Sequence, residues 1–467
     1  MKLSDKVLRI GLDRDYALLI SGLSGRVDLV KTVWWERVKK AVSQNKPLPK
    51  KEAAALKKGG YLFASIAAEK KFFQKVAQNN KQAISKDKSY SVVINFSEGC
   101  NLACPYCVNK DQRNRKIMTP KHLDQILTIV DRWLKKGQEI KTVNLFGGEP
   151  LRRETKLLFE KLLPEVKKRK LKVKIFTNGV EIQEFASLLK KYRSLLLSLQ
   201  ITVDGPEKIH DQRRVGPGYP QTFQLIMSNI EWLLKNKIPV SLRTNVEQKN
   251  FPFLPQLASE ISKRKWSKNK FFSCHLGLVC ADEPCFAKTN PKARNVKFVQ
   301  KYRRLLKKHP QMKVFQESGL YSFPERFLKK ALAGKENYRK IAFCKSCGGQ
   351  SFTFASDGQI YACMASVGIS AFCLGSYWPK LVWDKKVLKK WQARFSPKMK
   401  KCRSCSLVFI CGGECPLASF KHHGDINEPY CREAVKNLTK FAEISKKKIM
   451  QAGKTNLKRK KQKEKLL

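Results

Sequence analysis

Acidic residues are scarce in this sequence. Only 38 Asp and Glu stand against 95 Lys and Arg, so the 467-residue chain has a formal net charge of +57. So positive a field favours acidic partners: nucleic acid, an anionic membrane surface, or an acidic peptide. The stretch 454–467 carries seven Lys or Arg and one Glu, yet +51 remains without it. The excess is spread along the whole chain, which argues against one dedicated groove. Also missing is any run of eighteen or more apolar residues, which excludes membrane insertion by a spanning helix. The start Met1-Lys2-Leu3-Ser4-Asp5-Lys6 lacks the basic-then-apolar pattern of a secretory signal. These two absences place the protein in the cytoplasm. With 25 Gly and 20 Pro and a hydrophobic share of 42%, the chain is neither collagen-like nor wholly disordered. It is long enough for about three domains and a large core.

Cysteine, by contrast, is plentiful, with fifteen residues. In a reducing compartment these are metal ligands sooner than a disulfide framework. Cys100, Cys104 and Cys107 have the spacing C-x3-C-x2-C and follow the strand-like Ser91–Phe96. Three thiolates on one short loop can hold three irons of a cubic four-iron cluster, leaving the fourth open to another ligand. A closed zinc site would want four ligands, usually from two C-x2-C pairs, and this loop has neither a His nor a fourth Cys nearby. Downstream, Phe146-Gly147-Gly148-Glu149-Pro150 follows the strand-like Lys141–Leu145. Two glycines let the backbone come close to a ligand, and Glu149 offers an acceptor for an ammonium.

The cysteine loop, with Tyr106 directly before Cys107, and the turn Gly147-Gly148-Glu149-Pro150 together resemble the radical S-adenosylmethionine (SAM) enzymes. The resemblance implies a [4Fe-4S] cluster on Cys100, Cys104 and Cys107 whose open iron binds S-adenosylmethionine. Reduction, from a donor such as flavodoxin or ferredoxin, then yields a 5'-deoxyadenosyl radical that takes hydrogen from an unactivated carbon. It further implies that Gly147, Gly148 and Glu149 receive the amino group of the cofactor, that Thr177, Asn178 and Thr202 line its pocket, and that Arg213 or Arg214 reaches its carboxylate. No residue is assigned a catalytic role.

From Ser91 to about Leu278 strand and helix patterns alternate, which argues for parallel β/α units. Further strands are expected at Lys172–Phe176, Leu197–Val203, Pro239–Arg243 and Phe271–Leu276, with helices at Pro120–Lys136, Glu154–Lys168 and Phe223–Lys235. Six units match the partial (β/α)6 TIM-like barrel of the radical SAM fold, with chemistry at the strand C-termini. Ahead of it, residues 1–88 read as a small module: a hairpin of Asp15–Ile20 and Arg26–Val30, then helices near Trp34–Ser43 and Lys50–Lys58. It resembles the winged-helix-like leader-binding modules of peptide-modifying radical enzymes, with a structural cap as the alternative. The expected architecture is α/β: module 1–88, barrel 89–300, helical bridge 301–343, cysteine-rich iron–sulfur domain 344–440, and basic tail 441–467.

That last domain holds Cys344, Cys347, Cys363, Cys402, Cys405, Cys411, Cys415 and Cys431. The pattern resembles the SPASM domain, and eight cysteines suit two auxiliary cubic clusters. By analogy Cys344, Cys347, Cys363 and Cys415 hold one, and Cys402, Cys405, Cys411 and Cys431 the other. Two four-cysteine zinc sites would use the same residues. Cys373 falls outside the pattern and reads as structural. Cys274, Cys280 and Cys285, with His275 among them, fit no metal spacing and read as core residues. Anaerobic sulfatase-maturating enzymes carry an Asp after the cysteine matching Cys363; here Met364 stands, which argues against formylglycine formation. The resemblance therefore implies a maturase acting on a ribosomally made peptide or protein, an acidic one on the evidence of charge. An RNA-modifying enzyme is the second reading, weakened by the want of a base-stacking motif. A non-catalytic electron carrier is the third, and the Gly-Gly-Glu-Pro turn speaks against it.

Overall fold

The structure is a computed structural model that describes residues 1–107, 116–279, 294–321, 323–334, 339–431 and 433–453. Among the described residues fifteen strands are formed. The first five lie in the N-terminal module: β1 (Lys2–Leu3), β2 (Val7–Gly11), β3 (Tyr16–Ser21), β4 (Val27–Lys31) and β5 (Leu62–Phe63). The barrel strands are β6 (Ser91–Asn95), β7 (Thr142–Phe146), β8 (Lys172–Thr177), β9 (Leu196–Thr202), β10 (Val240–Val246) and β11 (Phe272–Leu278). Then come β12 (Ser351–Phe354), β13 (Gln359–Tyr361), β14 (Cys373–Ser376) and β15 (Val382–Trp383).

Strands β6 to β11 pair in chain order, each parallel to the next. This is the expected partial barrel. Its helices form where apolar residues recur at helical spacing. Pro120–Lys135, for instance, starts at Thr119, whose hydroxyl accepts from the His122 N–H, with Pro120 fitting the first turn. That helix buries Leu123, Ile126, Leu127, Ile129 and Val130 against the sheet. The strands alternate accordingly. Val143, Leu145, Val173, Ile175, Leu242 and Leu276 are at most 2% exposed on the helix side, while the residues between them face the concave side and are only partly covered.

The sheet does not stop at β6. Strand β12 adds to it in parallel, and β13, β14 and β15 continue it as an antiparallel meander, so the cysteine-rich region grows out of the barrel's own sheet. Sequence patterning did not reveal β12, which is four residues long and sits between Cys347 and Cys363.

In the module, β2, β3 and β4 form an antiparallel sheet, and β1 pairs with β5. The hairpin β3–β4 and helices Thr32–Ser43 and Lys50–Gly59 stand where expected, but β2 and the long helix Ile66–Lys86 are additions. Leu18 and Ile20 of β3 join the main core, while Leu19 packs with Trp35, Val38, Leu56 and Tyr61 in a core of the module's own. Leu23, Phe63 and Val76 meet Phe395, Val408 and Phe409 of the cysteine-rich region. The approach is close enough at Gly22 that a Cβ there would lie 1.9 Å from the Ser406 carbonyl oxygen. Among the described residues no helix is long and apolar enough to cross a membrane.

Candidate functional site

The loop bearing Cys100, Cys104 and Cys107 leaves the C-terminal end of β6, and the turn Gly147–Pro150 leaves the end of β7 beside it. The two are stitched by backbone bonds: Gly148 N–H donates to Ser97 O and Glu149 N–H to Gly99 O, both at 3.0 Å. A Cβ on Gly148 would lie 2.0 Å from Gly99 O, and one on Gly147 2.5 Å from Ser97 O. The glycines thus serve first to bring the turn against the cysteine loop. The close approach that the two glycines permit is made here to the backbone of the cysteine loop.

Glu149 is buried, and its carboxylate is already engaged. Its oxygens accept from the Thr177 hydroxyl (2.6 Å), Leu151 N–H (2.9 Å) and Asn178 N–H (2.6 Å). Burial pushes its pKa up to about 7 against the pull of those three donors. A carboxylate has room for roughly four hydrogen bonds, so one lone-pair direction remains for a further donor. Asn178 in turn donates through Nδ2 to Asn101 Oδ1 at 2.7 Å, beside Cys100. Glu181, which no motif flagged, ties the same pieces: it accepts from Asn101 Nδ2 (2.6 Å), Arg153 N–H (2.6 Å) and Tyr219 Oη (3.2 Å). Thr202 lies farther round, on β9 opposite Arg243.

On the other flank, Tyr106 donates to buried Asp204 and accepts from Arg214 Nη1 at 2.7 Å, while the Arg213 guanidinium stacks over the Tyr106 ring at 4.7 Å. Asp204 also accepts from Asn245 N–H at 3.0 Å, and Arg213 pairs with Glu247. Arg214 feels the charges of Cys100, Cys104 and Glu149. Its Nε, and Nη2 of Arg213, are buried with no hydrogen-bond partner. A guanidinium N–H buried without a partner beside three cysteines free of disulfides fits an anionic group. Burial pushes the Cys100 thiol up to about 12, with Glu149 adding to it. Among the described residues no three His, Cys, Asp or Glu converge on a point where a single metal ion could sit. A cubic cluster, whose ligands each take a different iron, does not require such convergence.

The eight cysteines of the C-terminal region separate into two electrostatically linked groups. Cys344 feels Cys347 and Cys363, and Cys363 feels Cys415 and Cys347. Cys402 feels Cys405 and Cys431, and Cys411 feels Cys402 and Cys431. Cys373 belongs to neither, its thiol contacting Gln359 Oε1 at 3.3 Å. Cys274 is buried on the helix side of β11. His275, expected in the core with it, instead occupies the concave face and is only partly covered; Cys280 and Cys285 lie outside the described residues. Glu98, also unflagged, joins the two regions by accepting from the Ser356 hydroxyl.

Fold and site together define a partial parallel barrel with a three-thiol loop and an acidic glycine turn at one mouth, followed by a cysteine-rich extension. The chain carries a radical SAM domain: the Radical SAM superfamily profile matches residues 94–246. That superfamily uses a [4Fe-4S] cluster and S-adenosylmethionine. A cysteine-type anaerobic sulfatase-maturating enzyme of Clostridium novyi is 29% identical over 196 residues, covering 40% of this chain and 52% of that protein. A GTP 3',8-cyclase of Clostridium perfringens is 29% identical over 158 residues, 32% of this chain and 45% of the relative. The chain thus spans about half the length of these curated relatives. In fold it is similar to anSMEcpe with bound AdoMet, at TM-score 0.56 and 20% identity, covering 79% of this chain and 99% of that one. It is likewise similar to Streptococcus suis SuiB bound to precursor peptide SuiA, at TM-score 0.54 and 15% identity, covering 93% and 99%.

Proposed function

We propose that this protein is a radical SAM enzyme that modifies a residue in a ribosomally made peptide or protein. The observation that carries this reading is the convergence of Cys100, Cys104, Cys107, Glu149, Asn178 and Arg214, whose Nε is buried without a partner, at one mouth of the barrel. The three thiolates would hold a [4Fe-4S] cluster, Glu149 with the Gly147-Gly148 backbone would take the amino group of S-adenosylmethionine, and Arg214 would take its carboxylate. When bound, cluster and cofactor supply the one-electron cleavage that generates a hydrogen-abstracting radical. The chain's own share is to hold the cofactor and keep out water. Thr177 and Leu151 fix the Glu149 carboxylate, Glu181 fixes the cysteine loop against the turn, and Asp204 with Arg213 fixes Tyr106.

Sulfatase maturation is disfavoured by Met364, and the likeness in fold to SuiB bound to a precursor peptide covers 93% of this chain. The test is direct. Anaerobically reconstituted protein given reductant and S-adenosylmethionine should release 5'-deoxyadenosine. Iron-loaded protein that releases none overturns the enzyme reading. Glu149→Ala should weaken equilibrium binding of S-adenosylmethionine by about 1.5–3 kcal/mol, the range for a hydrogen bond to a charged group; an unchanged dissociation constant removes Glu149 from the site.

The module of residues 1–88 would bind an acidic leader, since β4 is an edge strand to which a peptide could add by backbone hydrogen bonds. Because the module shares core with the cysteine-rich region, its deletion would expose apolar surface, and a peptide-side test is cleaner. A precursor encoded beside this gene should bind at least about tenfold more tightly than the same peptide without its leader. The difference should shrink as salt rises and the screening length falls from roughly 10 to 3 Å. Equal affinity with and without the leader removes this role from the module.

A further inference from the structure

Two cations and a neutral imidazole meet on the concave face of the barrel, apart from the groups that flank the cysteine loop. Lys174 of β8 stands opposite Asn144 and Ser198; Arg243 of β10 stands opposite Thr202 on one side and His275 of β11 on the other. All three alternate with residues buried on the helix side, so all three face the concave side of the sheet. They lie within range of one another. Burial first, then Arg243 and Lys174, push the His275 pKa down to about 4, and burial with Arg243 lowers that of Lys174.

None of the three has an acidic partner among the described residues. Arg243 Nε donates to Asn245 Oδ1 at 2.7 Å, the Lys174 ammonium lies 4.7 Å from the Phe176 ring centre, and His275 Nδ1 is 3.3 Å from Ser241 Oγ. The acids at the barrel mouth are committed elsewhere: Asp204 to Tyr106, Glu247 to Arg213, and Glu149 to the Thr177-Asn178 turn. At Gly277 a Cβ would lie 2.5 Å from Arg243 Nη2, so a bare backbone makes room for the guanidinium. Like charges brought together under partial burial, with no internal counter-charge, raise the energy of the free protein and mark a site that an anion completes.

We propose that Lys174, Arg243 and His275 bind a carboxylate of the substrate, an Asp or Glu side chain at or next to the residue that is modified. The inference rests on the peptide reading above and names what that peptide carries into the barrel. Arg243 supplies a planar fork for two carboxylate oxygens, and Lys174 a movable point charge. Phe146 and Phe176, with ring centres 5.5 Å apart, offer an apolar wall to the methylenes that precede the carboxylate. The position of Arg243 beside Thr202 puts the captured group next to the expected cofactor pocket.

The test is anaerobic equilibrium binding to the iron-loaded enzyme with S-adenosylmethionine present, using acetyl-Gly-Glu-Gly-amide, its Gln counterpart, glutarate and inorganic phosphate as probes. The Glu peptide should bind about tenfold or more tightly than the Gln peptide, the difference expected of a charge-assisted hydrogen bond. Lys174→Met and Arg243→Met should each cut that preference below roughly threefold, and Arg243→Lys should restore part of it. Equal binding of Glu and Gln peptides by the unmodified enzyme, or no binding of any probe, overturns the inference without reference to a variant. Phosphate bound more tightly than the Glu peptide, with the same dependence on Lys174 and Arg243, overturns the carboxylate assignment in favour of a phosphorylated substrate. Loss of S-adenosylmethionine affinity in both variants as large as the loss of Glu-peptide affinity also overturns it, because the cations then serve the cofactor. Glutarate bound with the stated dependence while the Glu peptide does not bind leaves the carboxylate site standing and sinks the peptide reading alone.

Discussion

Replacing Cys100, Cys104 and Cys107 together by Ala is expected to lower bound iron from about twelve to about eight per chain, four for each cubic cluster, and to abolish cleavage of S-adenosylmethionine. The loop itself should survive. Its backbone is held by Ala103 N–H to Val215 O (2.6 Å), by Gly148 N–H to Ser97 O and by Glu149 N–H to Gly99 O, none of which involves a thiol. Removing Cys347, Cys363 and Cys415 should likewise leave about eight irons, as should removing Cys402, Cys405 and Cys411, because each set belongs to a separate electrostatic group. These second and third variants distinguish a loss of particular ligands from a general loss of metal. Elemental analysis and 5'-deoxyadenosine chromatography read the outcome. A first triple variant that keeps about twelve irons and still cleaves the cofactor would remove this loop from the reaction.

The parts of this site that could be read from sequence are those whose residue types are rare and whose spacing is short. Three cysteines within eight residues, or Gly-Gly-Glu-Pro after an apolar run, carry their meaning locally, and six strands announced themselves by apolar residues packed beneath helices. Residues whose role depends on strand register were not legible. Lys174, Arg243 and His275 are spread over about a hundred residues of chain, and each alone reads as a solvated charge or a core histidine. Only the parallel pairing of β8 to β11 places them on one face. Glu181 and Glu98 were invisible for a related reason, since their partners Asn101, Arg153 and Ser356 lie on other loops. The short strand β12 carries too few residues to show a period. The role of Gly147 and Gly148 was half legible: the need for close approach was, but its object, the backbone at Ser97 and Gly99, was not.

Arg394→Met is expected to destabilise the cysteine-rich region by about 2–5 kcal/mol, and to strip iron from the group that contains Cys347. Arg394 is wholly buried. Its Nε donates to Ile426 O at 2.5 Å, its Nη2 to Gly413 O at 2.9 Å and Ser419 Oγ at 3.4 Å, and its Nη1 to Cys347 Sγ at 3.4 Å. One guanidinium thereby closes the loop after Cys411, the segment before Cys431 and the site of Cys347 into a single unit. Burial alone would raise the Cys347 thiol, yet the bond from Cys344 and the charge of Arg394 leave it lowered. That is the state a metal ligand needs, since the thiolate is what binds. Methionine fills similar volume but leaves two buried carbonyls without donors, each costing about 1–3 kcal/mol. Lysine keeps the charge and cannot reach three acceptors in a plane, so Arg394→Lys should recover the thiolate but not the full stability. The thermal midpoint of a cooperative unit of this length should fall by roughly 1 °C per kcal/mol lost. Iron should drop toward eight for Arg394→Met with the Cys100 site still filled and cleavage of S-adenosylmethionine retained, because that loop shares no hydrogen bond with Arg394 among the described residues. An unchanged midpoint with about twelve irons would show that this buried charge holds neither the fold nor the Cys347 group.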